Sequence, residues 1–423
     1  MNIRVNAHAR VIFGTEIVIT FSFHYKCRQN QLKFTYMKMD VPIAAIDVGS
    51  GMTKFVIAVV NRQINRKPYI EVVQQIEKPI PYGVDWKSSS DGYLSQNIQQ
   101  QGLALFRIIS DITNEWKAKN KSKYPHIHVI GVGTEVFRKA KNGKDFLKLV
   151  ESKTNLKIEL ISQEKEAYIG FRTGEAALMT LDSKVLKDEF NYKDDLKLAV
   201  YDSGGGSFQI TWLNQSSKEF NETNFEERLN KILKPNGLAP TLKDLLTLQK
   251  KNPDESPNPV SLETAMELVN SLITKYIDVE DIKCLNNKTS DTLFLSIGGI
   301  NSHVRLATDV IRCLEYEETF YGQEKDLENT MDFVIGSKLN RTVSHFSFTE
   351  ESVMNALKRI CCKRDSELEI FAHYNDAEPV SYMVPKLCIL LSVLKGYKIS
   401  KMHWIMCCGS CYGLILDHCD KLE

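Results

Sequence analysis

Two things are missing from this 423-residue chain: an excess of charge of one sign, and an apolar run able to cross a bilayer. Lys and Arg number 54 against 53 Asp and Glu. Nothing global therefore recruits a polyanion, and any such partner must be held by a local cluster. The longest apolar run in the C-terminal half, Leu387 to Leu394, falls far short of the roughly 20 residues that a spanning helix needs. No membrane segment is expected. Compositional skew is absent too: 43% hydrophobic and 25% charged residues exclude disordered, collagen-like and coiled-coil classes. The length exceeds the roughly 250–300 residues that one core serves, so two domains are expected.

A disulfide framework is also lacking. The ten cysteines are bunched, with Cys361 beside Cys362 and with Cys388, Cys407, Cys408, Cys411 and Cys419 crowding the last stretch. In a chain of this size they read as reduced, buried thiols of a cytoplasmic protein. Cys408-Gly409-Ser410-Cys411 with His418 and Cys419 lacks the tight paired spacing of structural zinc. His126 and His128 share one face of a strand and read as packing residues.

Residues 1–40 do not match the rest. Ile12, Phe13, Ile17, Val18, Ile19 and Phe21 form a short apolar stretch interrupted by Glu16, and no small-residue cleavage site follows. The expectation is an over-called start, with Met37 or Met39 the real beginning; a peripheral strand pair is the alternative.

From Val41 the pattern becomes regular. Strands are expected at 43–46, 55–60, 70–73, 126–132 and 158–161, with helices over 103–116, 145–153 and 163–178. A second unit opens with strands at 198–201 and 208–213. Next comes a polar stretch, about 214–260, containing Pro253, Pro257 and Pro259, expected as a surface insertion with short helices of its own. A strand at 293–297, a helix over 384–395, a strand at 404–406 and a closing helix complete the chain. The boundaries expected are a leader at 1–40, one lobe at 41–171 and a second at 172–423.

An internal repeat organises these elements. Asp47-Val48-Gly49-Ser50-Gly51 and Asp202-Ser203-Gly204-Gly205-Gly206 each follow an apolar strand and precede another, about 155 residues apart. Such a repeat implies a duplicated domain with a cleft between the copies. Small residues let each turn present backbone N–H groups to phosphate, and an Asp at a strand end can hold a hydrated divalent cation. Gly298-Gly299 adds a third turn.

Five elements in order resemble the Ppx/GppA family of exopolyphosphatases and guanosine pentaphosphate phosphatases. The first keeps Asp47, Gly49 and Ser50; the second is Gly133-Thr134-Glu135-Val136-Phe137-Arg138-Lys139-Ala140-Lys141-Asn142-Gly143. Ser162-Gln163-Glu164-Lys165-Glu166-Ala167, Asp202 to Gln209, and Gly298-Gly299-Ile300 follow. The resemblance covers about 41–416. It implies an α/β fold of two ribonuclease H-like (actin-like ATPase) lobes around a central cleft. It also implies hydrolysis of a phosphoanhydride: terminal phosphate from polyphosphate, or the 5′ γ-phosphate of guanosine pentaphosphate, an alarmone of the stringent response. The alternative is a low-activity relative that senses polyphosphate or alarmone.

The resemblance assigns expected roles. Glu166 is the catalytic carboxylate, with Asp202 and Gln209 beside it. Asp47 and Asp202 organise Mg²⁺ or another divalent cation. Ser50, Gly51, Lys54, Arg138, Gly204, Gly205, Gly206, Ser207, Gly298 and Gly299 contact phosphate. No DNA or membrane partner is expected, and a homodimer is compatible with the reading. Several positions depart from the family: Gln209 stands where a Glu is usual, Lys54 near a usual Arg, Ile300 for Thr, and Ser410-Cys411-Tyr412 where an Arg is usual. Gln offers a carbonyl oxygen but neither charge nor a basic site.

Overall fold

A computed structural model describes residues 6–9, 19–22, 39–62, 69–181, 183–190, 196–205, 207–213, 229–286, 292–299, 302–321, 345–372 and 380–422. Near the start, β1 (Asn6–Ala9) and β2 (Ile19–Ser22) pair antiparallel. The positions that carry the over-called-start expectation, Met37 above all, lie outside or at the edge of the described residues.

Strand β3 (Met39–Val48) begins the first lobe. It pairs antiparallel with β4 (Met52–Arg62), which pairs antiparallel with β5 (Tyr69–Pro79). On its other side β3 runs parallel to β6 (His128–Gly133), which is followed by the short β7 (Glu159–Leu160). The sheet order is β5-β4-β3-β6-β7. Helices α1 (Tyr82–Ser88), α2 (Gln96–Asn120), α3 (Glu135–Lys139) and α4 (Gly143–Thr154) accompany it. Alternation along β3 divides its side chains: Ala44, Ile46 and Val48 join a core with Phe106, Phe137 and Phe146, while Ile43 and Ala45 enter a different core.

The long helix α5 (Gln163–Leu178) starts at Ser162, whose hydroxyl accepts from the Lys165 N–H at 3.1 Å. It runs through the expected boundary at 171–172 without a break. After α6 (Ser183–Asp188) the second lobe repeats the first. Strands β8 (Lys197–Ser203), β9 (Phe208–Leu213) and β10 (Leu229–Lys234) are antiparallel neighbours, and β8 runs parallel to β11 (Thr292–Gly298). With β12 (His345–Phe348) and β13 (Met402–Met406) the order is β10-β9-β8-β11-β13-β12. The first five positions copy the first sheet, and β12 is added at the edge. The expected two-lobed α/β architecture is present.

One expectation needs correction. Part of the supposed surface insertion belongs to the lobe itself: β10 is a strand of the sheet with Ile232 buried, and α7 (Leu238–Leu248) buries Leu245 in the core. As an edge strand, β10 buries little beyond Ile232, so its polarity hid it. The remaining helices are α8 (Leu262–Tyr276), α9 (Val279–Asn286), α10 (His303–Tyr321), α11 (Glu350–Ile360), α12 (Asp365–Ala372), α13 (Met383–Gly396) and α14 (Cys411–Asp420). Helix α13 is buried almost all round, as its unbroken apolar run requires. No helix among the described residues is long and apolar enough to cross a membrane.

Helix α14 closes the molecule on the first lobe. It packs on α5, β3 and β4, so that Ile43, Ala45, Val56 and Ala58 share a core with Ile405, Cys411 and Ile415. Gly413 permits the close crossing. A Cβ there would overlap the Ile169 carbonyl and the Thr173 hydroxyl, and its N–H donates to that hydroxyl at 3.1 Å. Gly413→Ala is therefore expected to lower stability by about 1–3 kcal/mol, the usual cost of overpacking. Urea unfolding measures it, and a variant as stable as the parent would refute the tight crossing.

Candidate active site

The two hairpin turns have the same construction. Gly49 N–H donates to the Met52 carbonyl at 2.9 Å, and Gly204 N–H to the Ser207 carbonyl at 2.9 Å. The next residue's carbonyl is pinned by a helix start: Ser50 accepts from Gly83 N–H in α1 at 2.7 Å, and Gly205 from Ala239 N–H in α7 at 3.0 Å. Gly51 and Gly205 face open space, with nothing within 4 Å of an added Cβ. Their backbone is open to a ligand. Gly206 lies outside the described residues. Ser207 is exposed and closes its turn through its carbonyl.

Behind the turns the strand register aligns charges. Asp47 lies opposite Lys54 on β4, and Lys54 opposite Glu77 on β5, which makes an anion–cation–anion row on one face. The Lys54 ammonium is 3.9 Å from Asp47 Oδ2. Burial works against its charge, yet Asp47 and Glu77 outweigh burial and keep it protonated well above the usual lysine range. Asp47 Oδ2 also accepts the Ser410 N–H at 2.9 Å. That contact needs the turn before α14: Gly409 is left-handed, φ 53°, and a Cβ on it would overlap Lys54 and Asp47.

The second lobe offers the counterpart. Asp202 lies opposite Gln209 and accepts its amide N–H at 3.1 Å. Burial raises the Asp202 carboxyl, and Lys54 and Gln209 partly offset the rise. Lys54 and Gln209 thus hold matching places, each seven positions after its Asp. Gly170 in α5 brings that helix against the pair, since a Cβ there would lie 3.2 Å from Gln209 Nε2.

Glu166 stands in the first turn of α5 and Arg138 on α3. One Arg138 amino group donates to Glu166 Oε2 at 3.1 Å, the other to the Ile161 carbonyl at 2.6 Å. Burial pushes the Glu166 carboxyl up to about 7; Arg138 opposes the rise, and the charges of Asp47 and Asp202 add to it. Glu166 therefore lies in the field of both aspartates. The structure brings Asp47, Lys54, Asp202, Gln209, Glu166 and Arg138 together. Gly298 serves the frame of the second lobe, where its carbonyl accepts from Trp404 Nε1 at 3.0 Å and from Cys407 N–H at 3.3 Å.

Glu77 was not legible as a site residue. A Cβ on Gly299 would overlap both its carboxylate oxygens, so Glu77 reaches across to the turn of the other lobe. Its place opposite Lys54 is the signal that strand register would have supplied. Cys407, Cys408, Cys411 and Cys419 are buried, as expected. Cys408 donates to the Ile76 carbonyl at 3.5 Å and Cys411 to that of Ala45 at 3.5 Å. His128 packs on His418, with ring centroids 4.9 Å apart.

Among the described residues, no group of three or more His, Cys, Asp or Glu could hold a metal ion. Two aspartates from opposite lobes make an incomplete cage. Such a donor set suits a magnesium ion that keeps its waters and takes further oxygens from phosphate.

Comparisons with known proteins agree with this architecture. The sequence model of the Ppx/GppA phosphatase family matches residues 117–223, the segment with Arg138, Glu166, Asp202 and Gln209. A bifunctional 3-dehydroquinate synthase/phosphatase of Fusobacterium nucleatum subsp. nucleatum is 24% identical over 176 residues, 42% of this chain and 24% of that protein. The match thus spans about a quarter of that relative's length. A solved Ppx/GppA family member from Aquifex aeolicus superposes with a TM-score of 0.57 at 16% identity, over 91% of this chain and 99% of its own. An exopolyphosphatase from Cytophaga hutchinsonii gives 0.58 at 15% identity, over 90% and 99%. The resemblance carried by the motifs is borne out, and the fold is that of Ppx/GppA structures.

The raised Glu166 carboxyl has a consequence for stability. The folded state holds its proton to about pH 7 while the unfolded state releases it near 4.5, so stability falls as pH rises through that window. Glu166→Gln is expected to remove about 1–2 kcal/mol of that fall, allowing for partial solvent exposure. Denaturant midpoints of parent and variant at pH 5 and pH 8 read the difference; parallel curves would refute the raised carboxyl.

Proposed function

With the Ppx/GppA signature set on two actin-like lobes, we propose that the cleft hydrolyses a terminal phosphoanhydride bond. The substrate is an inorganic polyphosphate or the 5′ triphosphate of guanosine pentaphosphate. Water attacks the terminal phosphorus, the bridging P–O bond breaks, and inorganic phosphate leaves. The observation that carries this reading is Glu166: a carboxyl poised near neutrality, held by Arg138, in the field of Asp47 and Asp202.

Each group then has a part in the reaction. Above about pH 7 Glu166 is ionised and can take the proton of the attacking water. Arg138 fixes its orientation through the fork to Glu166 and the Ile161 carbonyl. Lys54 supplies a partly buried positive charge for phosphoryl oxygens, and the turns at Ser50-Gly51 and Gly205 offer backbone open to a ligand. Asp47 and Asp202 would hold a hydrated magnesium ion, which when bound supplies charge neutralisation for the phosphate oxygens.

A second reading has an observation of its own. Gln209 uses its amide to bond Asp202 where the family usually places a carboxylate. The amide removes one negative charge from the cleft, which favours polyanion binding and weakens cation recruitment. A binding or regulatory relative fits that chemistry.

Phosphate release from long polyphosphate, tripolyphosphate and guanosine pentaphosphate, side by side with Mg²⁺, tests the proposal. One of the three is expected to turn over, at a rate that rises as pH passes about 7. Glu166→Gln is expected to lower that rate ~10²–10⁴-fold, the usual worth of a positioned base. Tight binding of all three with no release would favour the regulatory reading. Gln209→Glu is expected to raise turnover and to lower the Mg²⁺ concentration giving half-maximal activity. Loss of a brisk parental activity in that variant would make Gln209 a working residue and refute the account of it.

A further inference from the structure

Glu77 holds a position that packing does not explain. Its strand, β5, is the edge of the first sheet, yet its carboxylate crosses the cleft to the Gly298-Gly299 turn of the other lobe. Both carboxylate oxygens lie against the Gly299 backbone, where a Cβ would overlap them. On its own side Glu77 lies opposite Lys54, with the Cys408 thiol beside it. A carboxylate thus sits between a cationic side chain and a glycine turn, the surroundings that a phosphoryl group would seek.

Lys54 does not need this partner to be neutralised. Asp47 already lies 3.9 Å from its ammonium, and Glu77, opposite it on β5, adds the influence of a second negative charge. Burial raises the Glu77 carboxyl, and Lys54 and Cys408 do not fully offset the rise. Its charge is therefore incompletely compensated where it sits, and displacement into solvent costs little.

We propose that Glu77 is an internal competitor: its carboxylate occupies the anion position between Lys54 and Gly299, and a phosphoryl group must displace it to bind. The inference deepens the reading of the cleft as a phosphate-handling site and rests on it. Every ligand that needs Lys54 meets the same competition, so Glu77 sets the affinity of the cleft and leaves the chemical step alone. The competition keeps Lys54 from being saturated by inorganic phosphate, the product of the proposed reaction.

Calorimetric titration of tripolyphosphate and of inorganic phosphate into parent, Glu77→Gln and Glu77→Asp tests this. Gln keeps the shape and removes the charge, and Asp keeps the charge and shortens the reach to Gly299. Glu77→Gln is expected to bind both ligands about tenfold more tightly, the scale of one like-charge contact relieved near a protein surface. Glu77→Asp is expected to fall between it and the parent. With a hydrolysed substrate, KM is expected to fall by a similar factor while kcat stays constant. Unchanged or weaker binding in Glu77→Gln, with a melting temperature equal to the parent's, overturns the inference. So does an absence of binding in all three proteins. A parent that hydrolyses nothing, yet binds more weakly than Glu77→Gln, sinks the hydrolase reading and supports this one; an active enzyme with no gain in Glu77→Gln does the reverse.

Discussion

Asp47 is held from two directions, by the Lys54 ammonium on its own sheet and by the Ser410 backbone N–H on the turn into α14. The carboxylate cannot leave either partner cheaply, because a buried anion without donors costs several kcal/mol. The first lobe's hairpin and the segment that closes the chain are therefore set against each other at this one residue. Gly409 follows as a necessity: only a left-handed residue without a Cβ brings the Ser410 N–H to Asp47 past the Lys54 side chain.

Duplication gives the two halves of the cleft the same frame and different contents. Both turns close with the same hydrogen bond, and both are tied to the second residue of the following helix. The frame is symmetric because backbone geometry makes it. The side chains break the symmetry at the matching places, Lys54 in one copy and Gln209 in the other. One half carries a cation and the other a neutral amide, so the pull on an anionic ligand is strong at the first lobe's matching place and weak at the second's.

The sequence made some of this legible. Strands β3, β4, β8, β9 and β11 were readable as apolar runs between small-residue turns, and α5 was readable to its ends because Ser162 caps it. Strand β10 was not, because an edge strand that buries little beyond Ile232 carries little hydrophobic pattern. The grouping of Asp47, Asp202, Glu166 and Arg138 was readable through a family resemblance. Local pattern alone would have left Glu166 an ordinary helix-surface residue. Glu77 was legible only in part: strand register sets it opposite Lys54, but the approach of Gly299 from another lobe is a distance that no local signal encodes.

The seam between α14 and the first lobe also shapes how the chain is made. Ile43, Ala45, Val56 and Ala58 form one face of a sheet whose cover includes Cys411 and Ile415. At roughly 5–20 residues per second, tens of seconds of synthesis separate that face from the helix that seals it. Throughout that interval a nascent first lobe displays an open apolar strand surface, the kind of surface that molecular chaperones shield.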